Sequence, residues 1–131
     1  MKTIKVVAAL IRDGGKIMIC RRPAGKARGM LWEFPGGKIE PDEEPEQALV
    51  RECREELDIG INAGRLFLTV RHEYPDITVE LSVYESVITE GTPKLLEHSA
   101  IAFITPKEAD DYEFCPADVA IIDRIKAEAG K

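Results

Sequence analysis

Gly37-Lys38-Ile39-Glu40-Pro41-Asp42-Glu43-Glu44-Pro45-Glu46-Gln47-Ala48-Leu49-Val50-Arg51-Glu52-Cys53-Arg54-Glu55-Glu56-Leu57-Asp58-Ile59 is the stretch on which the reading of this chain turns. Its second half predicts a helix. Asp42 or Glu43 can cap it, and Pro45 suits its first turn. The acids at its start complement the positive end of the helix dipole. Leu49, Cys53 and Leu57 recur at i, i+4 and i+8 and form one apolar stripe. The helix should end near Asp58, with Gly60 just beyond. Glu52, Glu55 and Glu56 stand at i, i+3 and i+4, so they share a face beside that stripe. Like charges at this spacing repel and weaken an isolated helix. A hard divalent cation taking carboxylate oxygens would relieve the repulsion. The plainer alternative is a surface helix with scattered ion pairs, since Arg51 and Arg54 offset some of the charge and Arg51 reaches Glu55. Ahead of the helix, Pro35-Gly36-Gly37-Lys38 is a sharp turn with two positions free of side chains. Backbone groups there can approach a metal or phosphate closely. Taken alone, the same tetrapeptide is only a turn.

Working outward, Ile4 to Arg12 reads as a buried strand. Asp13-Gly14-Gly15 is a tight turn, and Lys16 to Arg22 a second strand, giving a hairpin. Ala24 to Met30 is a loop. Trp32-Glu33-Phe34 is an extended approach to the Pro-Gly-Gly turn. Beyond the helix, Arg65 to His72 and Ile77 to Val87 predict two long strands around Glu73-Tyr74-Pro75-Asp76. Ala100 to Ile104 is a short strand, and Pro106 to Asp111 a helical turn. Pro116 to Ala127 predicts a second helix with Ala117, Ala120, Ile121 and Ile125 on its apolar face. The order strands, helix, strands, helix predicts an α/β (α+β) fold, a mixed sheet sandwiched between helices. Neither a dinucleotide-binding G-x-G-x-x-G nor a P-loop is present.

The 131 residues suit one domain spanning 1–131, and an apolar fraction of 44% is enough for one core. No apolar run approaches the roughly 20 residues needed to cross a bilayer, and no leader cleavage pattern follows Met1. Cys20, Cys53 and Cys115 are odd in number and far apart, so they read as reduced, mostly buried thiols of a cytoplasmic protein. A net charge of -6 argues against general binding of nucleic acid polymers.

The quoted stretch resembles the Nudix box, Gly-x5-Glu-x7-Arg-Glu-U-x-Glu-Glu-x-Gly-U, where U is bulky and apolar. Gly37, Glu43, Arg51, Glu52, Glu55, Glu56 and Ile59 match it, and Cys53 is acceptable as U. Asp58 stands where the family has Gly, a residue that usually ends the helix in a left-handed conformation. Asp tolerates that conformation better than most residues, so the expected cost is small. Leu31-Trp-Glu-Phe-Pro-Gly-Gly-Lys-Ile-Glu40 and Pro116-Ala117-Asp118 extend the resemblance over nearly the whole chain, toward MutT-type nucleotide pyrophosphohydrolases.

That resemblance implies a set of roles. Glu52, Glu55 and Glu56, with the Gly37 carbonyl, would hold Mg²⁺, for which Mn²⁺ can substitute. Glu97 would add a fourth carboxylate. Glu43 and Arg51 would pair to orient the loop. Glu52 is the first choice of general base, with Glu56 and Glu97 as rivals. Arg22 and Lys38 would hold phosphates. Phe34 and Tyr74 are candidate stacking partners for a base, as is Phe114, and Trp32 would lie beside or under the pocket. Asp118 occupies the position of a base-reading side chain; ionised, it would accept from base N–H donors. The implied reaction is hydrolysis of a (deoxy)nucleoside triphosphate to monophosphate and pyrophosphate by water attack at the β-phosphorus. Substrates of the 8-oxo-dGTP, CTP or 5-methyl-dCTP kind would fit. ADP-ribose, NADH or a dinucleoside polyphosphate is the alternative substrate class, and a non-catalytic nucleotide sensor the alternative function. The partner is a small nucleotide, with neither membrane nor nucleic acid polymer, and the chain is a monomer or homodimer.

Overall fold

The computed structural model describes residues 2–130. In chain order the elements are β1 (Thr3–Asp13), β2 (Lys16–Arg21), β3 (Trp32–Glu33), β4 (Gly36–Lys38), α1 (Pro45–Leu57), β5 (Gly60–Glu73), β6 (Thr78–Glu90), β7 (Ala100–Ile104), a 3-10 turn at Pro106–Asp111, and α2 (Pro116–Ala129). Among these residues the strands form one mixed sheet in the order β3-β2-β1-β6-β5, with β4 beside β1 and β7 beside β2. β1 and β6 run parallel, with Val7 opposite Ser82. The other pairings are antiparallel. The hairpin between β1 and β2 closes through Gly14 and Gly15, both at positive φ. Such a two-residue loop matches the right-handed twist of its strands.

β1 explains why its sequence is a continuous apolar run. Val7, Ala9 and Ile11 pack with Leu49, Cys53 and Leu57 of α1 on one face. Ala8 and Leu10 pack with Ile121, Ile122 and Ile125 of α2 on the other. A strand buried on both faces has no polar alternation to show. The sheet therefore lies between the two helices, as the order of elements predicts.

Three expectations change. The N-cap of α1 is Glu44, whose N–H donates to the Gln47 side chain at 2.9 Å. Asp42 sits at φ 65°, and Glu43 is taken by Arg51. β5 begins at Gly60 rather than near residue 65, because register shifts around Ala63 and Leu66 break its period of two. The buried face of α2 holds Asp118 and Ile122, while Ala120 is exposed. At the end of α1, Asp58 does adopt the left-handed conformation, φ 53° and ψ 44°. Its carboxylate accepts from Lys94 Nζ at 2.9 Å and pairs with Arg54 at 3.4 Å. The non-glycine cap thereby fastens the segment after β6 to the helix end. The three cysteines are free and buried.

Candidate active site

The site begins where β4 meets β1. Gly36 pairs with Ala8 and Gly37 with Val7. A Cβ on Gly36 would run into the Val7 carbonyl, and one on Gly37 into the Glu52 carboxyl. Only glycine lets this strand press against β1 while α1 lays Glu52 directly over it. Arg51 then ties the parts together. Its Nε and Nη2 donate to the two Glu43 oxygens at 2.9 and 3.0 Å, a bidentate pair. Nη2 also donates to the Lys38 carbonyl at 3.1 Å, and Nη1 to Glu52 at 2.8 Å. The Glu40 N–H completes the Glu43 side at 3.0 Å. The Arg51 hydrogen bonds hold the Glu43 carboxyl down at about 2.

Glu52 and Glu56 lie against each other, two like charges at close quarters. Burial, and then the charge of Glu52, push Glu56 up to about 9, with Glu33 and Glu97 adding to the effect. Glu56 Oε1 is buried without a partner. Glu55 goes elsewhere: its side chain is 56% exposed and lies 3.4 Å from Arg51 Nη1. Among the described residues no three carboxylates, thiols or imidazoles already converge on one point. The donor set nevertheless fits a divalent cation. A bare buried carboxyl oxygen, a proton held by burial and like-charge repulsion, and a side-chain-free Gly37 under Glu52 are what hard-cation coordination would satisfy.

Beside this pair opens a cavity of about 400 Å³. Arg22, Lys38, Gly37, Glu56, Phe34, Tyr74 and Asp118 all line it, so the expected phosphate-side and base-side residues share one space. Phe114 does not line it but stacks behind Phe34, with ring centroids 6.4 Å apart. Trp32 sits off the cavity against Tyr112. Arg22 donates to Glu33 at 3.1 Å and to the Ala27 carbonyl at 2.9 Å. Tyr74 is buried, and its hydroxyl accepts from the Ala117 N–H at 2.9 Å. Asp118 accepts from the Phe34 N–H at 3.1 Å. Burial and the Glu33 charge push Asp118 up to about 8 despite that bond and the nearby Arg22. That shift favours the protonated form, in which the second oxygen can donate, over the ionised form, which only accepts. Glu97 is exposed and lines a smaller cavity with Glu56, Arg22, Glu33 and His98.

Three lining residues escape a sequence reading. Arg28 sits in a left-handed conformation at φ 58°. Its guanidinium lies 4.2 Å from the Tyr74 ring centre and 3.4 Å from Asp76. Glu33 joins Arg22 to His98, and Cys115 lines the cavity. The pairings of Arg28 and Glu33 cross tens of residues, and no local spacing signals them.

Comparison with known proteins agrees with this geometry. The family model described as NUDIX domain matches residues 6–124. An Escherichia coli (strain K12) protein named CTP pyrophosphohydrolase is 41% identical over 127 residues, covering 97% of this chain and 94% of that one. A Proteus vulgaris 8-oxo-dGTP diphosphatase is 40% identical over 97 residues, 73% of this chain and 85% of its own. The crystal structure of the MutT protein from Methanosarcina mazei Go1 superposes with a TM-score of 0.88 at 25% identity, covering 99% of this chain and 97% of that one. With the box laid out on β4 and α1 as described, the chain belongs to the Nudix family of hydrolases acting on phosphoric anhydrides.

Proposed function

We propose that this chain hydrolyses a (deoxy)nucleoside triphosphate to the monophosphate and pyrophosphate with Mg²⁺. The relatives named for CTP and 8-oxo-dGTP support that substrate class. The observation that carries the reading is one cavity lined by Glu56, Arg22 and Lys38 together with Phe34, Tyr74 and Asp118, with Glu52 against Glu56 beside it. A carboxylate and cations suit a metal–phosphate group; buried aromatic rings and a buried carboxyl in the same space suit a base.

Nudix hydrolases generally need a divalent metal. Glu52, Glu56 and the Gly37 carbonyl would hold it, with Glu55 and Glu97 within the same region. Bound there, it would neutralise phosphate oxygens and lower the pKa of an attacking water. The chain's own groups do the rest. Arg51 and Glu43 keep the Gly37–Lys38 backbone in place. Lys38 and Arg22 hold phosphate oxygens, Arg22 with the N–H groups that Glu33 and Ala27 leave free. Sequence favours Glu52 as the base, but Glu52 is engaged by both Arg51 and Glu56. Glu97, exposed at the edge beside Glu56, is better placed to receive the water's proton. Phe34 offers a face to the base, and protonated Asp118 offers a donor to a base carbonyl or ring nitrogen.

The test is product analysis with Mg²⁺ in ¹⁸O-water across 8-oxo-dGTP, dGTP, CTP, dCTP and 5-methyl-dCTP. The reading predicts label in pyrophosphate and none in the monophosphate. Label in the monophosphate would refute attack at the β-phosphorus, and release of inorganic phosphate would refute the reaction itself.

A further inference from the structure

The segment between β6 and β7 carries Glu97 but contains little regular structure of its own. One side chain in it is buried. His98 is 8% exposed, and its Nε2 lies 3.0 Å from Glu33 Oε2. A carboxylate only accepts, so Nε2 carries the hydrogen. The other oxygen of Glu33 accepts from Arg22 Nη1 at 3.1 Å. On the far side of His98, the Ser99 N–H donates to the Arg21 carbonyl, and Ser99 Oγ accepts from Arg21 Nε, each at 2.9 Å. The segment is therefore pinned to β2 and β3 immediately after Glu97. His98 Nδ1 is buried and has no partner. A buried polar atom left bare costs stability, and an apolar side chain would avoid that cost. Packing alone does not account for an imidazole here. The ring lies on the small cavity that also holds Glu97, Glu56 and Arg22.

We infer that His98 is a positioning residue. Through its hydrogen bond to Glu33 it fixes the backbone at residues 97–98, so that the Glu97 carboxylate faces Glu56 across the small cavity. The same Glu33 orients Arg22, so one hydrogen-bonded chain, His98–Glu33–Arg22, buried at His98 and partly buried at the other two, sets the proton-accepting carboxylate and a phosphate-holding cation in fixed relation. Arg22 keeps a second anchor at the Ala27 carbonyl. Loss of His98 should therefore disturb Glu97 far more than Arg22. This inference rests on the hydrolase reading and on Glu97 acting in it.

The experiment compares His98→Leu, His98→Gln, Glu97→Gln and the double variant Glu97→Gln/His98→Leu in steady-state triphosphate hydrolysis with Mg²⁺, with thermal melts of each. A glutamine in place of His98 can put a side-chain N–H near the position of Nε2; a leucine cannot. The expected result is a kcat about 10²-fold lower in His98→Leu, the scale of a misplacement of about 1 Å, with KM changed less than about 3-fold. His98→Gln should recover most of kcat, and His98→Leu should add no further loss in the Glu97→Gln background. A purely structural role would instead lower Tm and activity together and multiply with the loss in Glu97→Gln. Multiplying losses, an unchanged kcat in His98→Leu, or no recovery in His98→Gln would each overturn the inference. Full activity in Glu97→Gln would also overturn it while leaving the hydrolase reading standing. Absence of wild-type turnover would remove both.

Discussion

Asp118 is buried with its carboxyl held up at about 8, chiefly by burial and then by Glu33. In the unfolded chain the same group titrates near 3.8. Between those values the folded state holds a proton that the unfolded state has lost, so folding stability falls as pH rises through that window and the contribution levels off above about 8. Asp118→Asn keeps an oxygen for the Phe34 N–H and has nothing to ionise. Melts from pH 5 to 9 should therefore show the variant gaining on wild type up to about pH 8 and holding that gain above it, by at least ~1 kcal/mol at pH 9. Parallel curves would contradict the buried, proton-bearing carboxyl. Glu56 makes a second prediction at this scale. It is pushed up to about 9 by burial and by Glu52, so a cation binding to it must displace a proton. Calorimetric titration of Mg²⁺ in buffers of different ionisation enthalpy should show close to one proton released per cation near pH 7. Glu56→Gln should release markedly fewer.

Helix α1 is the easiest element to read and also the one that does the most. Leu49, Cys53 and Leu57 are fully buried against β1, as their spacing predicts. Leu49→Ala should cost about 3 kcal/mol in urea unfolding. A loss below about 1 kcal/mol would mean that the stripe is not the seam between helix and sheet. Asp58 tests the other end of the helix. A β-branched residue strains at φ 53°, and Val also lacks the carboxylate that meets Lys94 and Arg54. Asp58→Val should lower Tm by roughly 5 °C, while Asp58→Gly, which relieves the backbone, should fall less. Equal falls would show that the ion pairs, not the dihedral angles, set the cost. The long strands are legible in kind but not in extent. β5 starts five residues before its alternation becomes visible, because the bulges around Ala63 and Leu66 put successive side chains out of step. β3 and β4 are too short to carry a period at all. They exist because β2 and β1 offer them edges, which is a property of the assembled sheet.

At the scale of the whole molecule, the cavity lies where the α1 end of the sheet meets the start of α2 and the 23–31 loop. The box residues could be placed from sequence because they sit on one helix and the turn before it. Arg28, Glu33 and His98 could not, since each acquires its partner only through folding: Arg28 with Asp76 and Tyr74, Glu33 with His98 and Arg22. Arg28 closes one side of the cavity by bridging its loop to the turn between β5 and β6. Arg28→Ala should raise KM for the preferred triphosphate ~10-fold or more, while kcat stays within about 3-fold, because Arg28 meets Tyr74 and Asp76 rather than the Glu52–Glu56 carboxylates. Equal KM values in the two proteins would place Arg28 outside the binding surface. The most direct test of the central claim is pyrophosphate release with and without Mg²⁺ across 8-oxo-dGTP, dGTP, CTP, dCTP and 5-methyl-dCTP, on wild type and Glu52→Gln. The account predicts Mg²⁺-dependent turnover of at least one of them and a loss of several orders of magnitude in the variant. No turnover of any triphosphate, or full activity in Glu52→Gln, would contradict it.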